Sequence, residues 1–202
     1  MPHPDFFRRL PVLTLYDPLA HMLGASSDGT FVYRYLDAVR LCGHSCPTVA
    51  GAYITCMKGL YALYGDALPR RGEIAVELPG KRDEGAHGVT GSVIGLITGA
   101  AGEEGFKGMG RRYLRERLLR FRGAEDGGVV MTRTDTGMRI AVEYFPENAG
   151  VRPADPELVG KILRNQAGDE ERDMFARQWQ KNVETLFDAR DRPGVFRVRR
   201  LG

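Results

Sequence analysis

The residues Pro47–Tyr64 constrain the fold of this chain more than any other stretch. Val49, Tyr53, Cys56, Met57, Leu60 and Leu63 recur at helical spacing and form one broad apolar face. Pro47 suits the first helical position, where its missing N–H costs nothing, and Gly65-Asp66 ends the run. A helix with so broad an apolar face needs the rest of the chain to cover it.

The entry to this helix, Leu41-Cys42-Gly43-His44-Ser45-Cys46-Pro47, carries the densest chemistry in the chain. Thiolate sulfur and neutral imidazole nitrogen are the donors that zinc and similar ions prefer. Cys46 falls at the N-cap, where unsatisfied N–H groups and the helix dipole favour a thiolate, and Gly43 permits a tight turn into it. Cys42-x-His44-x-Cys46 is tighter than the Cys-x-x-Cys knuckles of structural zinc sites, but a turn into a helix lets two of the three face one ion. His87, at the end of a polar loop, is the fourth candidate donor. Cys56, ten residues beyond Cys46, projects elsewhere around the helix and reads as a packing residue. His3 and His21 have no supporting context.

A chain of 202 residues, 43% hydrophobic and 27% charged, is an ordinary soluble chain of one domain with an appendage. No apolar run approaches the roughly 18 residues that span a bilayer, and the first residues lack the order of a signal peptide, so the expected location is cytoplasmic with no membrane partner. Three cysteines in a reducing compartment suit ligands, reactive thiols or core fillers better than a disulfide framework. A net charge of +3 gives no reason to expect a nucleic-acid partner.

Along the chain, 10–16 suggests a short strand, Asp17-Pro18 opens a helix that stops at Gly24, and a second helix is expected from Gly29 to Cys42. Residues 73–78 alternate as a strand, 81–88 form a loop, 90–98 a small-residue helix, and 99–110 a glycine-rich loop. Leu114, Leu118 and Phe121 predict an amphipathic helix over 109–122 with a solvated arginine face. Residues 129–133 and 138–144 flank a turn as a hairpin. Helices are expected over 157–165 and 169–186, and 193–202 alternates as an arginine-bearing edge strand. Local antiparallel pairs together with helix-connected strands argue for an α+β fold, with an α+β core over 1–150 and a helical C-terminal extension over 151–202.

The stretch Gly43-His44-Ser45-Cys46-Pro47, continuing through Val49-Ala50-Gly51-Ala52-Tyr53, resembles the FmdE family, which takes its name from a component of formylmethanofuran dehydrogenase. Its motif reads His-Gly-His-x-Cys-Pro-Gly before a small-residue helix. A second likeness lies in Ser92 to Gly108, similar to the family's Asp-Ala-Ile-x-x-x-Thr-Gly-Cys-Thr-x-Gly-Lys-Gly; Thr98 and Gly99 match, and Lys107-Gly108 match after an insertion. The resemblance spans about 30–150. It implies a mixed sheet flanked by helices with a thioredoxin-like core, a zinc-type site at the His/Cys motif, and homo-oligomerisation. The chain departs from the pattern at Cys42, Ser92 and Ala100, which stand where the family has histidine, aspartate and cysteine. With no cysteine after Cys56, it lacks the C-terminal zinc finger of some relatives. A rebuilt site of Cys42, His44, Cys46 and His87 would supply four N/S donors for zinc or another transition metal.

Three functions remain open. One is an FmdE-like metal-binding protein, with His44 and Cys46 as the reactive groups, acting on a small-molecule substrate or serving a partner metalloenzyme in a redox system. Another is thiol redox chemistry between Cys46 and Cys42. The third is a non-catalytic module in which the glycine-rich loop, Lys107 and Arg111 hold an anionic ligand or protein partner. Glu103 and Glu104 read as solvated loop carboxylates. Phosphate-loop, Rossmann and Ser-His-Asp signatures are absent.

Overall fold

The computed structural model describes residues 3–110, 112–122 and 127–202. Along them run β1 (Leu13–Tyr16), α1 (Pro18–Met22), β2 (Thr30–Tyr33), α2 (Tyr35–Cys42), α3 (Pro47–Tyr64), β3 (Ile74–Leu78) and α4 (His87–Thr98). There follow β4 (Leu119–Phe121), β5 (Val129–Arg133), β6 (Arg139–Tyr144), α5 (Pro156–Leu163), α6 (Asp169–Asp188) and β7 (Phe196–Leu201). The fold is α+β. Strands β1 and β2 form a small antiparallel ribbon, and the larger sheet has the order β4-β3-β5-β6-β7. That sheet is mixed: β3 runs parallel to β4, and the other neighbours are antiparallel.

Helix α3 is the centre of the core. It packs on β5, β6 and β7, with α2, α4 and α6 around it, while α4 covers β3 and β4. Strand alternation supplies the facing layer, since Ile74, Val76, Leu78, Met131, Ile140 and Val142 join one cluster with Val49, Tyr53, Ile54 and Leu60. Val130 and Ala141, between them in sequence, turn to the opposite side. Close approach of α3 to the sheet requires Gly59, where a Cβ would lie 2.2 Å from the Met131 sulfur.

Residues after 150 enter the same core. β7 pairs with β6 from Arg139↔Leu201 to Tyr144↔Phe196, as an edge strand. Val183, Leu186 and Phe187 of α6 are fully buried, and the Phe187 ring lies 5.0 Å from that of Tyr35. Helix α5 is different: none of its residues is buried.

Two expectations fail. Thr30–Tyr33 is a strand paired with β1, so the helix begins at Tyr35 and not near Gly29. The basic helix over 109–122 is absent among the described residues; Arg111 lies outside them. Met109 and Arg112 form an isolated antiparallel bridge, Tyr113, Arg117 and Arg122 adopt φ of 60°, 59° and 60°, and Leu119–Phe121 joins the sheet. The cause is Arg115, which is not on a solvated face but 7% exposed, with Nη2 2.7 Å from Asp17 Oδ1. Asp17 also caps α1 through the N–H groups of Leu19 and Ala20 and binds Arg71 Nη1 at 2.8 Å. Arg71 in turn donates to the carbonyls of Leu96 and Ile97 at the end of α4. A buried arginine drawn to this carboxylate holds its loop in a path no helix could follow.

Among the described residues no helix is long and apolar enough to cross a membrane.

Candidate functional site

The turn between α2 and α3 is built by its own residues. Gly43 ends α2 with φ 75°, a left-handed conformation that favours glycine. Cys46 is extended at the N-cap, Pro47 takes the first helical position, and the Val49 N–H donates to Cys46 Sγ at 3.5 Å. Cys46 is therefore buried at 7% exposure and belongs to the core cluster.

His44 is exposed, and its Nδ1 lies 2.9 Å from the Cys42 carbonyl oxygen. A carbonyl only accepts, so Nδ1 is the donor, and in the neutral ring Nε2 is left as the acceptor. Metal-ligating histidines are commonly oriented by such a bond to a backbone carbonyl. Cys42 is half-buried beside it; desolvation, and then the charge of Cys46, push its thiol up. Cys56 is fully buried, and burial pushes its thiol far up, as suits a packing residue.

Helix α6 clamps this turn from the C-terminal side. Trp179 Nε1–H donates to the Ser45 carbonyl at 2.8 Å, and Gln180 Nε2 to the same oxygen at 3.4 Å. The Ser45 hydroxyl donates to Gln180 Oε1 at 3.0 Å and accepts from the Tyr35 hydroxyl at 2.9 Å. Sequence reasoning missed Tyr35, Trp179 and Gln180. The one available signal was the position of the single tryptophan in a segment with no histidine or cysteine.

The structure divides the four sequence-derived donors. Cys42 and His44 line an open depression of about 470 Å³ between the turn and α4, whose other walls include Arg82, Asp83, Gly88 and Ser92. His87 begins α4 and lines a separate cavity with Pro47, Thr48 and Tyr144. Cys46 lies beneath the turn. Among the described residues no group of three or more His, Cys, Asp and Glu side chains is arranged to hold an ion. Ser92, at the position of the family's aspartate, does share the depression with Cys42 and His44, while its hydroxyl donates back to the Gly88 carbonyl at 2.9 Å. Ala100 is buried after the end of α4.

None of the remaining candidates among the described residues lines the depression. Glu104 is exposed and pairs with Arg82 at 3.5 Å. His3 stacks on Phe7, and His21 bonds the Tyr16 hydroxyl at 3.0 Å. The pair of charges considered for an anion, Lys107 and Arg111, has only Lys107 within the described residues.

The donor set fits a soft or borderline transition metal in part: one cysteine and one histidine line the same open space, with no further Cys or His among the described residues lining it. No protein-family model matches this chain, and no curated protein matches it.

Proposed function

We propose that the depression between the α2–α3 turn and α4 is an open site for zinc or a similar transition metal, held by Cys42 Sγ and His44 Nε2. The observation that carries this is the Nδ1–H bond of His44 to the Cys42 carbonyl, which leaves Nε2 of the neutral ring free, with Cys42 and His44 lining the same depression. Two protein donors leave the other positions of a tetrahedral ion to a small molecule or a partner metalloenzyme. A zinc ion held this way would act as a Lewis acid on whatever occupied them. Cys46 and α6 hold the turn in shape. The resemblance to the FmdE family supports the reading, because Ser92 stands on the same depression, and we extend it to an FmdE-type, thioredoxin-like core. Protein purified without chelator should carry close to one equivalent of metal, lost in Cys42→Ala and His44→Ala. Metal content unchanged in both variants would refute the site.

A dithiol is the second reading, since Cys42 and Cys46 bound the same five-residue turn, and burial, then the charge of Cys46, raises the Cys42 thiol. Glutathione disulfide would accept the two electrons and two protons released as a Cys42–Cys46 bond forms. Cys46→Ser separates the readings: it keeps an acceptor at the N-cap of α3, abolishes that disulfide and leaves metal bound.

A further inference from the structure

An open depression of about 600 Å³ lies beside α1, within the size range of ordinary ligand pockets. Its walls come from three places: α1 with His21 and Met22, the residues before β3 with Arg70, and the loop before β4 with Arg112 and Tyr113. Each wall stands within two residues of a member of the buried Asp17 ion cluster. Asp17 itself caps α1, Arg71 follows Arg70, and Arg115 comes two positions after Tyr113. One carboxylate thus ties the three walls together, so little ordering is left for a ligand to impose.

The polar groups of this depression have bonding capacity to spare. Glu73 Oε2 accepts from Arg70 Nε–H at 2.8 Å, and both terminal NH2 groups of that guanidinium have no hydrogen-bond partner among the described residues. Arg112 is exposed, its guanidinium carbon lies 5.9 Å from the Tyr113 ring centroid, and it forms no ion pair among the described residues. Tyr16 Oη and His21 Nδ1 are 3.0 Å apart. If the phenol donates, the neutral imidazole carries its proton on Nε2; if Nδ1 donates, the phenol O–H is released. Either way the pair keeps one donor for a guest.

Two guanidinium groups therefore stand against one carboxylate in the described lining, and the one undescribed residue adjoining it in sequence, Arg111, is basic. Guanidinium forks match phosphoryl oxygens, and three such oxygens use more donors than the two of a carboxylate. Pro18, the Tyr113 ring and Met22, which is 47% exposed, offer apolar surface beside them.

We propose that this depression binds a small organic phosphate, its phosphoryl group held by Arg70, Arg112 and the Tyr16–His21 pair and its carbon skeleton resting on Tyr113, Pro18 and Met22. None of its lining residues lines the Cys42–His44 depression, so the site stands independently of the metal reading.

Two-dimensional NMR titration of the full chain with phenyl phosphate at physiological salt tests this, with inorganic phosphate and phenol as its two halves. Phenyl phosphate should give saturable shifts centred on His21, Met22, Arg112 and Tyr113. Inorganic phosphate should bind at least about threefold more weakly, and phenol at least about tenfold more weakly. Arg112→Gln removes an exposed guanidinium and should weaken phenyl phosphate binding roughly tenfold. Arg70→Gln should do the same; Arg112→Gln carries the test if that variant does not fold. Arg177→Gln removes the same charge from an exposed position of α6 and should change nothing. Absence of saturation, phenol or inorganic phosphate binding as tightly as phenyl phosphate, undiminished binding in Arg112→Gln, or an equal loss in Arg177→Gln would each overturn the proposal.

Discussion

Asp17 shows how one residue can decide the path of a distant segment. It accepts hydrogen bonds from two backbone N–H groups of α1 and from the side chains of Arg71 and Arg115. Burial alone would raise its carboxyl, but the Arg71 bond, the Ala20 N–H and the charges of Arg115 and Arg71 together hold it below the usual value. A lowered folded value means that its stabilisation is complete above the unfolded value of about 3.9 and is lost as pH falls through the folded one. Urea stability should therefore drop on acidification below about pH 4, and Asp17→Asn should flatten that part of the profile. At pH 7, Asp17→Ala should cost about 3–5 kcal/mol, because Arg115 would stay buried without its partner. A loss under about 1 kcal/mol would show that the arginines find other acceptors. Nothing in the order of residues 109–122 pairs Arg115 with a carboxylate ninety-eight positions away. The spacing of Leu114, Leu118 and Phe121 was legible, but its cause was not: Leu114 is exposed and Phe121 belongs to a strand.

At the scale of elements, α3 was readable because its limits are local. Proline at the first position, a cysteine cap and a following glycine act within a few residues, and the apolar spacing between them is long. The hairpin β5–β6 and the small-residue helix α4 were readable for similar reasons. The site was half readable. Cys42, His44 and Cys46 were evident as a cluster, yet only the left-handed turn at Gly43 and the cap at Cys46 decide which of them faces outward. The brace from α6 was invisible, since it joins Ser45 to Trp179 and Gln180 across more than 130 residues. Trp179→Phe removes that N–H donor and leaves most of the ring contact with Phe175, whose centroid lies at 5.5 Å. It should cost about 1 kcal/mol in urea unfolding and weaken metal binding severalfold, although it touches neither Cys42 nor His44. Unaltered metal affinity would mean that α6 supports the fold but not the site.

Across the whole molecule, the C-terminal residues complete a structure that the first part leaves open. Phe187 packs on the rings of Tyr35 and Tyr53, Val195 is fully buried, and β7 covers the edge of β6. A chain ending at residue 150 should lose cooperative urea unfolding and expose an unpaired β6; a sharp, wild-type-like transition would instead make residues 1–150 a self-sufficient domain. The same C-terminal residues hold the turn that presents Cys42 and His44, so the proposed site depends on the whole molecule. Cobalt(II) titration followed by absorption tests that site most directly, because a thiolate bound to cobalt gives a charge-transfer band. The account predicts a band that saturates near one equivalent, disappears in Cys42→Ser, weakens in His44→Ala and survives in Cys46→Ser. No band, or a band that Cys42→Ser leaves intact, would contradict it.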